Sequence, residues 1–277
     1  MIDIGANLTH KDFANDLDSV LVDAKNKNIC KMIVTGVNEE GSIEASKLSK
    51  KYNSFLYSTA GIHPHHANEY SESAENVIKK LIKEKHIVAV GECGLDYYRN
   101  YSSVENQKNA FISQINIANE SNLPLFMHQR DAHEDFEKIL KTNLNKIHNG
   151  VVHCFTGTEE MLISYLEMGF YIGITGWICD ERRGSGLQKI VKNIPINKLL
   201  VETDCPYLLP RTLESKPKNR RNEPKYLTEI VKMISNHTTY TQSEIAVATY
   251  NNTIKLFKFV FYINVKCSTT TIFNCCI

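Results

Sequence analysis

The chain has 277 residues, room for one large domain or two small ones, and α/β barrels of about 250 residues commonly form one domain. Hydrophobic residues make up 42% and charged residues 23%, a globular composition that excludes a disordered chain. The formal net charge of +1 supplies no overall field for a polyanion, so any nucleic-acid site must rest on local charge.

In chain order, short runs rich in β-branched residues recur at 1–4, 31–36, 54–61, 87–92, 123–128, 150–155, 170–175 and 198–203. Longer stretches of helical spacing separate them. Over 104–122, Val104, Ala110, Phe111, Ile115, Ile117 and Ala118 form one broad face, and Asn122 is the predicted stop. Over 158–169, Thr158 opens a helix with acids in its first turn and Gly169 closes it. Eight β/α units imply parallel strands, because parallel neighbours need crossovers. The expected fold is a (β/α)8 TIM barrel, and no Gly-x-Gly-x-x-Gly supports a dinucleotide fold instead.

Two segments break the rhythm. Residues 206–226 carry four prolines and a local charge of +4, which reads as a long functional loop. The tail, 259–277, holds three of the eight cysteines; a disordered or sticky appendage is its leading reading. The start, MIDIGANLTH, has no basic-then-apolar signal pattern, and no run reaches the roughly 18–20 apolar residues of a membrane span. Cys30, Cys93, Cys154, Cys179 and Cys205 stand singly, as in a reducing compartment. The expectation is a cytoplasmic protein, or a nuclear one in a eukaryotic source, with a monomer favoured.

Glu92, His128, His153 and Asp204 each end a strand run, and His63 and His65 follow the third. In a barrel all strand C-termini point to one face, where such residues converge. A lone histidine at a strand end is more often a packing residue; five such placements together favour a site for Mg²⁺, Mn²⁺ or Zn²⁺. Cys93, Cys154 and Cys205, next to these residues, are expected to face away as filler. His10 and His66 are expected on the surface. Asp96 and Arg130 are placed to orient ligands, and Arg182, Arg183, Arg220 and Arg221 read either as phosphate contacts or as a solvated loop.

The motifs MIDIGANL, STAGIHPH, VAVGECGLDYYRN, LPLFMHQRDAHEDF, VVHCFTGT, YIGITGW, LLVETDCPYLLPR and RRNEP occur in this order. Together they closely resemble the TatD-type deoxyribonucleases, over residues 1–258 as a single domain. The resemblance implies an amidohydrolase-like TIM barrel that cuts DNA phosphodiesters with divalent metal, commonly Mg²⁺, often as an exonuclease on single strands. It implies Glu92 as bridging ligand, His128 and His153 as ligands of one ion, and Asp204 as ligand and water activator. It also implies His63 and His65 on the substrate side and Arg220 and Arg221 of RRNEP as candidate DNA contacts; Arg130, by its place past a strand end, is expected to join them in binding substrate. Many relatives begin Asp-x-His-x-His, whereas this chain has Gly5 and Asn7 at those histidine positions. A second ion would then rest on Glu92, Asp204 and water, a shell that suits Mg²⁺.

The expected reaction is metal-assisted hydrolysis at single-stranded or frayed DNA ends, with Asp204 as base and His63 or His65 protonating the leaving oxygen. Two alternatives stand beside it: a small-molecule ester or amide hydrolase on the same barrel, or a nucleic-acid-binding protein with a vestigial site.

Overall fold

The computed structural model describes residues 1–259. The β-branched runs form strands β1 (Ile2–Ala6), β2 (Lys31–Val34), β3 (Leu56–Ala60), β4 (Ile87–Asp96), β5 (Leu125–Arg130), β6 (Gly150–Val152), β7 (Tyr171–Ile174) and β8 (Leu199–Val201). Helices α1 (Leu17–Asn26), α2 (Glu39–Lys51), α3 (Glu72–Leu81), α4 (Val104–Ser121), α5 (His133–Thr142), α6 (Glu159–Glu167), α7 (Ser185–Ile190), α8 (Leu227–Asn236) and α9 (Gln242–Phe257) fill the intervals. All pairings are parallel, in the order β1 to β8. Beyond β8 the ring closes: Asp204 N donates to Gly5 O at 2.8 Å, and Asn7 N to Cys205 O at 2.8 Å. This is the (β/α)8 barrel that the alternation implies.

Local chemistry sets the helix ends. Ser103 accepts from Asn106 N to open α4, and Asn122 closes it in the left-handed region at φ 55°, where a short polar side chain is tolerated. Thr158 accepts from Met161 N to open α6, a cap whose loss costs about 1 kcal/mol. Thr241 and Glu244 form a reciprocal capping box on α9.

One apolar layer lies between sheet and helices, where Phe111 and Phe136 stack at 5.2 Å. A second, containing Ile4, Ile33, Phe126 and Leu200 inside the barrel, continues to Leu256, Phe257 and Phe259 at the end of α9. Phe259 packs 4.3 Å from Tyr57 at the start of β3, so this end of the barrel is plugged and burial of each ring contributes about 2–3 kcal/mol. Only the opposite end, at the strand C-termini, is left for polar residues. Of the tail set apart as an appendage, all but Phe259 lies outside the described residues.

Several strand ends fall a residue or more from the sequence reading, and two of these differences shape the site. The run 150–155 yields only the three-residue β6, because Cys154 takes φ 47° and leaves the ladder. β4 instead continues beyond Glu92 to Asp96.

Candidate active site

Glu92 enters the barrel through a bulge. Val90 pairs with Leu125 and Cys93 with Met127, so β4 carries an extra residue against β5. Gly91, at φ 142°, lies where a Cβ would overlap the Phe126 carbonyl, so only glycine fits. Asp96 shares the Glu92 face by the two-residue repeat. His128 comes from β5, His153 from just beyond β6, and Asp204 from the turn after β8 at φ 55°. His63 and His65 flank the start of the short turn Pro64–Glu69.

Three imidazoles converge on one oxygen. Glu92 Oε1 lies 2.8 Å from His153 Nε2, 3.0 Å from His128 Nδ1 and 3.2 Å from His63 Nε2. His63 Nδ1 accepts from His65 N at 3.0 Å, so His63 carries its proton on Nε2, facing Glu92. His65 Nε2 binds Asp96 Oδ2 at 2.7 Å, and Asn7 Nδ2 donates to Asp204 Oδ1 at 2.9 Å. Buried polar groups are normally satisfied. Two contacts in this site are looser: His128 Nε2 lies 3.4 Å from Asp96 Oδ2, and His153 Nδ1 lies 3.4 Å from Glu202 Oε2, and none of His128 Nε2, His153 Nδ1 and Glu202 Oε2 makes a well-aligned hydrogen bond.

The electrostatics separate the groups. Burial opposes ionisation of Glu92, but the His153 and His63 rings and the His128 hydrogen bond hold its carboxyl well below the usual range. Burial likewise works against Asp96, and hydrogen bonds from His128 and His65 outweigh it, drawing its pKa down. His153 is pushed well above an ordinary imidazole, against burial, by Glu92 and Glu202. Burial takes His63 the other way, down to about 4, against the attraction of Glu92. Asp204 is raised to about 7, chiefly by burial. The donor atoms of His63, Glu92 and His128 all lie within 4.8 Å of one another. A buried carboxylate ringed by imidazoles whose donor atoms lie this close together fits a divalent cation.

This cluster floors a cavity of about 970 Å³. Among the exposed large apolar side chains, the only aromatic ones described, Tyr98, Tyr101 and Tyr207, at 59%, 63% and 53% exposure, all line it. Tyr101 follows β4 and Tyr207 follows β8, on opposite sides of the eight-strand ring. The Arg130 guanidinium lies 4.1 Å over Tyr98 and 5.9 Å from Trp177, with no carboxylate partner among the described residues.

Glu92, His63, His65, His128, His153, Asp204 and Arg130 are thus brought together; Arg220 and Arg221 are not. Arg220 is exposed outside the cavity. Arg221 turns inward to Asp16 and Glu223, which removes it from the expected substrate contacts. Arg211 pairs with Glu181, and Lys225 with Asp23 and Glu223, so much of the loop's positive charge is neutralised within the fold. Arg182 and Arg183 both bind the buried Asp180. Cys154 lines the cavity, contrary to expectation, because its left-handed backbone ends the strand alternation; His10 and His66 line it as well. The sequence reading passed over Glu202, whose signal was a second carboxylate in VETD beside an apolar run, and the aromatic rim, whose signal was YYRNY after a strand end.

Residues 2–258 match the TatD related DNase family. The chain is 45% identical over 261 residues to the 3'-5' ssDNA/RNA exonuclease TatD of Escherichia coli strain K12, covering 94% of this chain and 100% of that protein. It is 46% identical over 236 residues to the protein of the same description in Pantoea ananatis, covering 85% and 91%. Among solved structures, a TatD family hydrolase from Entamoeba histolytica superposes with a TM-score of 0.82 at 30% identity, covering 93% and 97%. A TatD homologue from Escherichia coli K12 gives 0.85 at 26%, covering 93% and 98%. With the family match running the length of the barrel, and relatives this similar over nearly their whole chains, the protein belongs to the TatD-related DNase family.

Proposed function

We propose that the protein is a divalent-metal-dependent exonuclease that hydrolyses phosphodiester bonds at the 3' ends of single-stranded DNA or RNA. The observation that carries this reading is the convergence of three imidazoles on Glu92 Oε1 at the floor of a cavity rimmed by Arg130 and exposed tyrosines. The relatives named as 3'-5' ssDNA/RNA exonucleases support the polarity and the single strand.

Glu92, His128, His153 and Asp204 would hold the metal, with His63 in reach through Glu92. When bound, a divalent ion supplies a nucleophilic water near neutral pH and offsets charge on the phosphoryl oxygens. Mg²⁺ is the first choice on the oxygen side formed by Glu92 and Asp204, while the imidazole side accommodates Mn²⁺ or Zn²⁺. Asp204, with Oδ1 engaged by Asn7, has Oδ2 to take the proton of the attacking water. Burial keeps His63 neutral, so it donates Nε2–H to Glu92. His65, whose Nε2 lies 2.7 Å from Asp96 Oδ2, is assigned as the proton donor to the leaving oxygen. Arg130 meets the phosphate, and Tyr101 and Tyr207 stack on bases whose faces are open in a single strand and closed in a duplex. The five described cysteines are free, which supports a reducing, cytoplasmic setting.

End-labelled single-stranded DNA and RNA, incubated with Mg²⁺ or with chelator beside Glu92→Ala, tests the reading. Mg²⁺-dependent shortening from the 3' end, lost in the variant, is expected. A folded protein that leaves both substrates intact under Mg²⁺ and Mn²⁺ would overturn it and favour the small-molecule hydrolase.

A further inference from the structure

One buried carboxylate in contact with a proposed metal ligand has no role in the mechanism. Glu202, directly after β8, is fully buried, and its oxygens have different surroundings. Oε1 accepts the Cys154 N–H at 2.6 Å. Oε2 lies 3.4 Å from His153 Nδ1, and these two atoms are both otherwise unpartnered. No lysine or arginine pairs with Glu202 among the described residues. A buried acid with no cation beside it is costly, so its retention calls for a partner.

The neighbouring backbone is shaped around it. A Cβ on Gly5 of β1 would overlap Glu202 Oε2, and one on Gly173 of β7 would stand 2.5 Å from Oε1. The carboxylate is therefore clamped between two strands that lack side chains at these positions, with His153 above it.

We infer that Glu202 is the positioning residue for His153: it holds the proton on Nδ1, directing Nε2 toward Glu92 and the metal side of the cavity. Gly5 is then the space this carboxylate needs rather than a missing ligand. A histidine there would require Glu202 to move. A carboxylate behind a metal-binding imidazole fixes the ring tautomer and strengthens the opposite nitrogen as a ligand. The role of His153 as a ligand rests on the proposed function; the contact between Glu202 and His153 does not.

Two readouts test the inference. Mn²⁺ titration of the purified protein, without substrate, measures affinity in wild type, Glu202→Gln and Gly5→Ala. ¹⁵N spectra of the histidine rings in the metal-free protein report the Nδ1 proton of His153, assigned with His153→Asn. Glu202→Gln keeps the shape and the Cys154 contact, and is expected to weaken Mn²⁺ binding about 10–100-fold and to move the Nδ1 resonance. Gly5→Ala is expected to do both, although neither residue offers a side-chain ligand. An unmoved resonance in folded Glu202→Gln would overturn the inference, and so would unchanged Mn²⁺ affinity. If the wild type binds no Mn²⁺, the metal reading falls, while the resonance still decides whether Glu202 holds His153.

Discussion

Arg220 and Arg221 are neighbours in RRNEP, but their surroundings predict very different effects on stability. The Arg221 side chain is 9% exposed. Its guanidinium donates to Asp16 at 2.9 and 2.6 Å, to Glu223 Oε1 at 3.3 and 2.8 Å, and to the Asp12 carbonyl, and lies 4.8 Å over Phe13. These contacts tie the segment after β8 to the one after β1. Truncation to alanine would leave Glu223 buried with Lys225 Nζ, at 2.8 Å, as its remaining cation. Stranding one member of a buried pair costs about 3–5 kcal/mol. Asp16, 43% exposed, regains water, and Glu223 keeps Lys225, so about 2–3 kcal/mol is the reasonable expectation for Arg221→Ala. Arg220→Ala, at an exposed position, should stay within about 0.5 kcal/mol. Urea unfolding followed by circular dichroism measures both. An unchanged midpoint for Arg221→Ala, together with weakened DNA binding, would refute the latch and restore the residue to the substrate surface.

The other expectations concern the rim and one buried acid. Arg130→Ala should raise KM for single-stranded DNA and lower the salt slope of binding by about 0.7, one phosphate contact on a single strand; an unchanged slope would place the phosphate elsewhere. Tyr101→Ala and Tyr207→Ala should each weaken single-strand binding by about 1–3 kcal/mol, and an abasic oligonucleotide should show little further loss. Equal losses on normal and abasic strands would argue against stacking. Asp3, buried and hydrogen-bonded to Thr203, has its pKa raised from 3.8 to about 7 by burial. Between those values the unfolded chain releases this proton while the folded one keeps it, so stability falls as pH rises from about 4 to 7, by on the order of 4 kcal/mol. Asp3→Asn should remove that part of the decline; parallel pH profiles for variant and wild type would exclude it.

Helix α4 and its stop at Asn122, the Thr158 cap, and the eight β/α repeats were legible in the sequence because each depends on residues within a turn or two. The gathering of Glu92, His128, His153 and Asp204 was legible at one remove, since parallel strands bring all their C-terminal ends to one face. Cys154 was misread because alternation holds only while the strand lasts, and its left-handed backbone ends β6 early. Arg221 was misread because basic residues look alike in sequence, and the acids that capture it lie on distant or folded-back segments. Glu202 is the extreme case: its surroundings come from Gly5, His153 and Gly173 on three other β/α units. The sequence by itself determined the barrel and the residue types at its mouth, because periodicity and capping are local. Only the tertiary structure decided which carboxylate faces which imidazole, because that depends on the close approach of strands far apart in the chain.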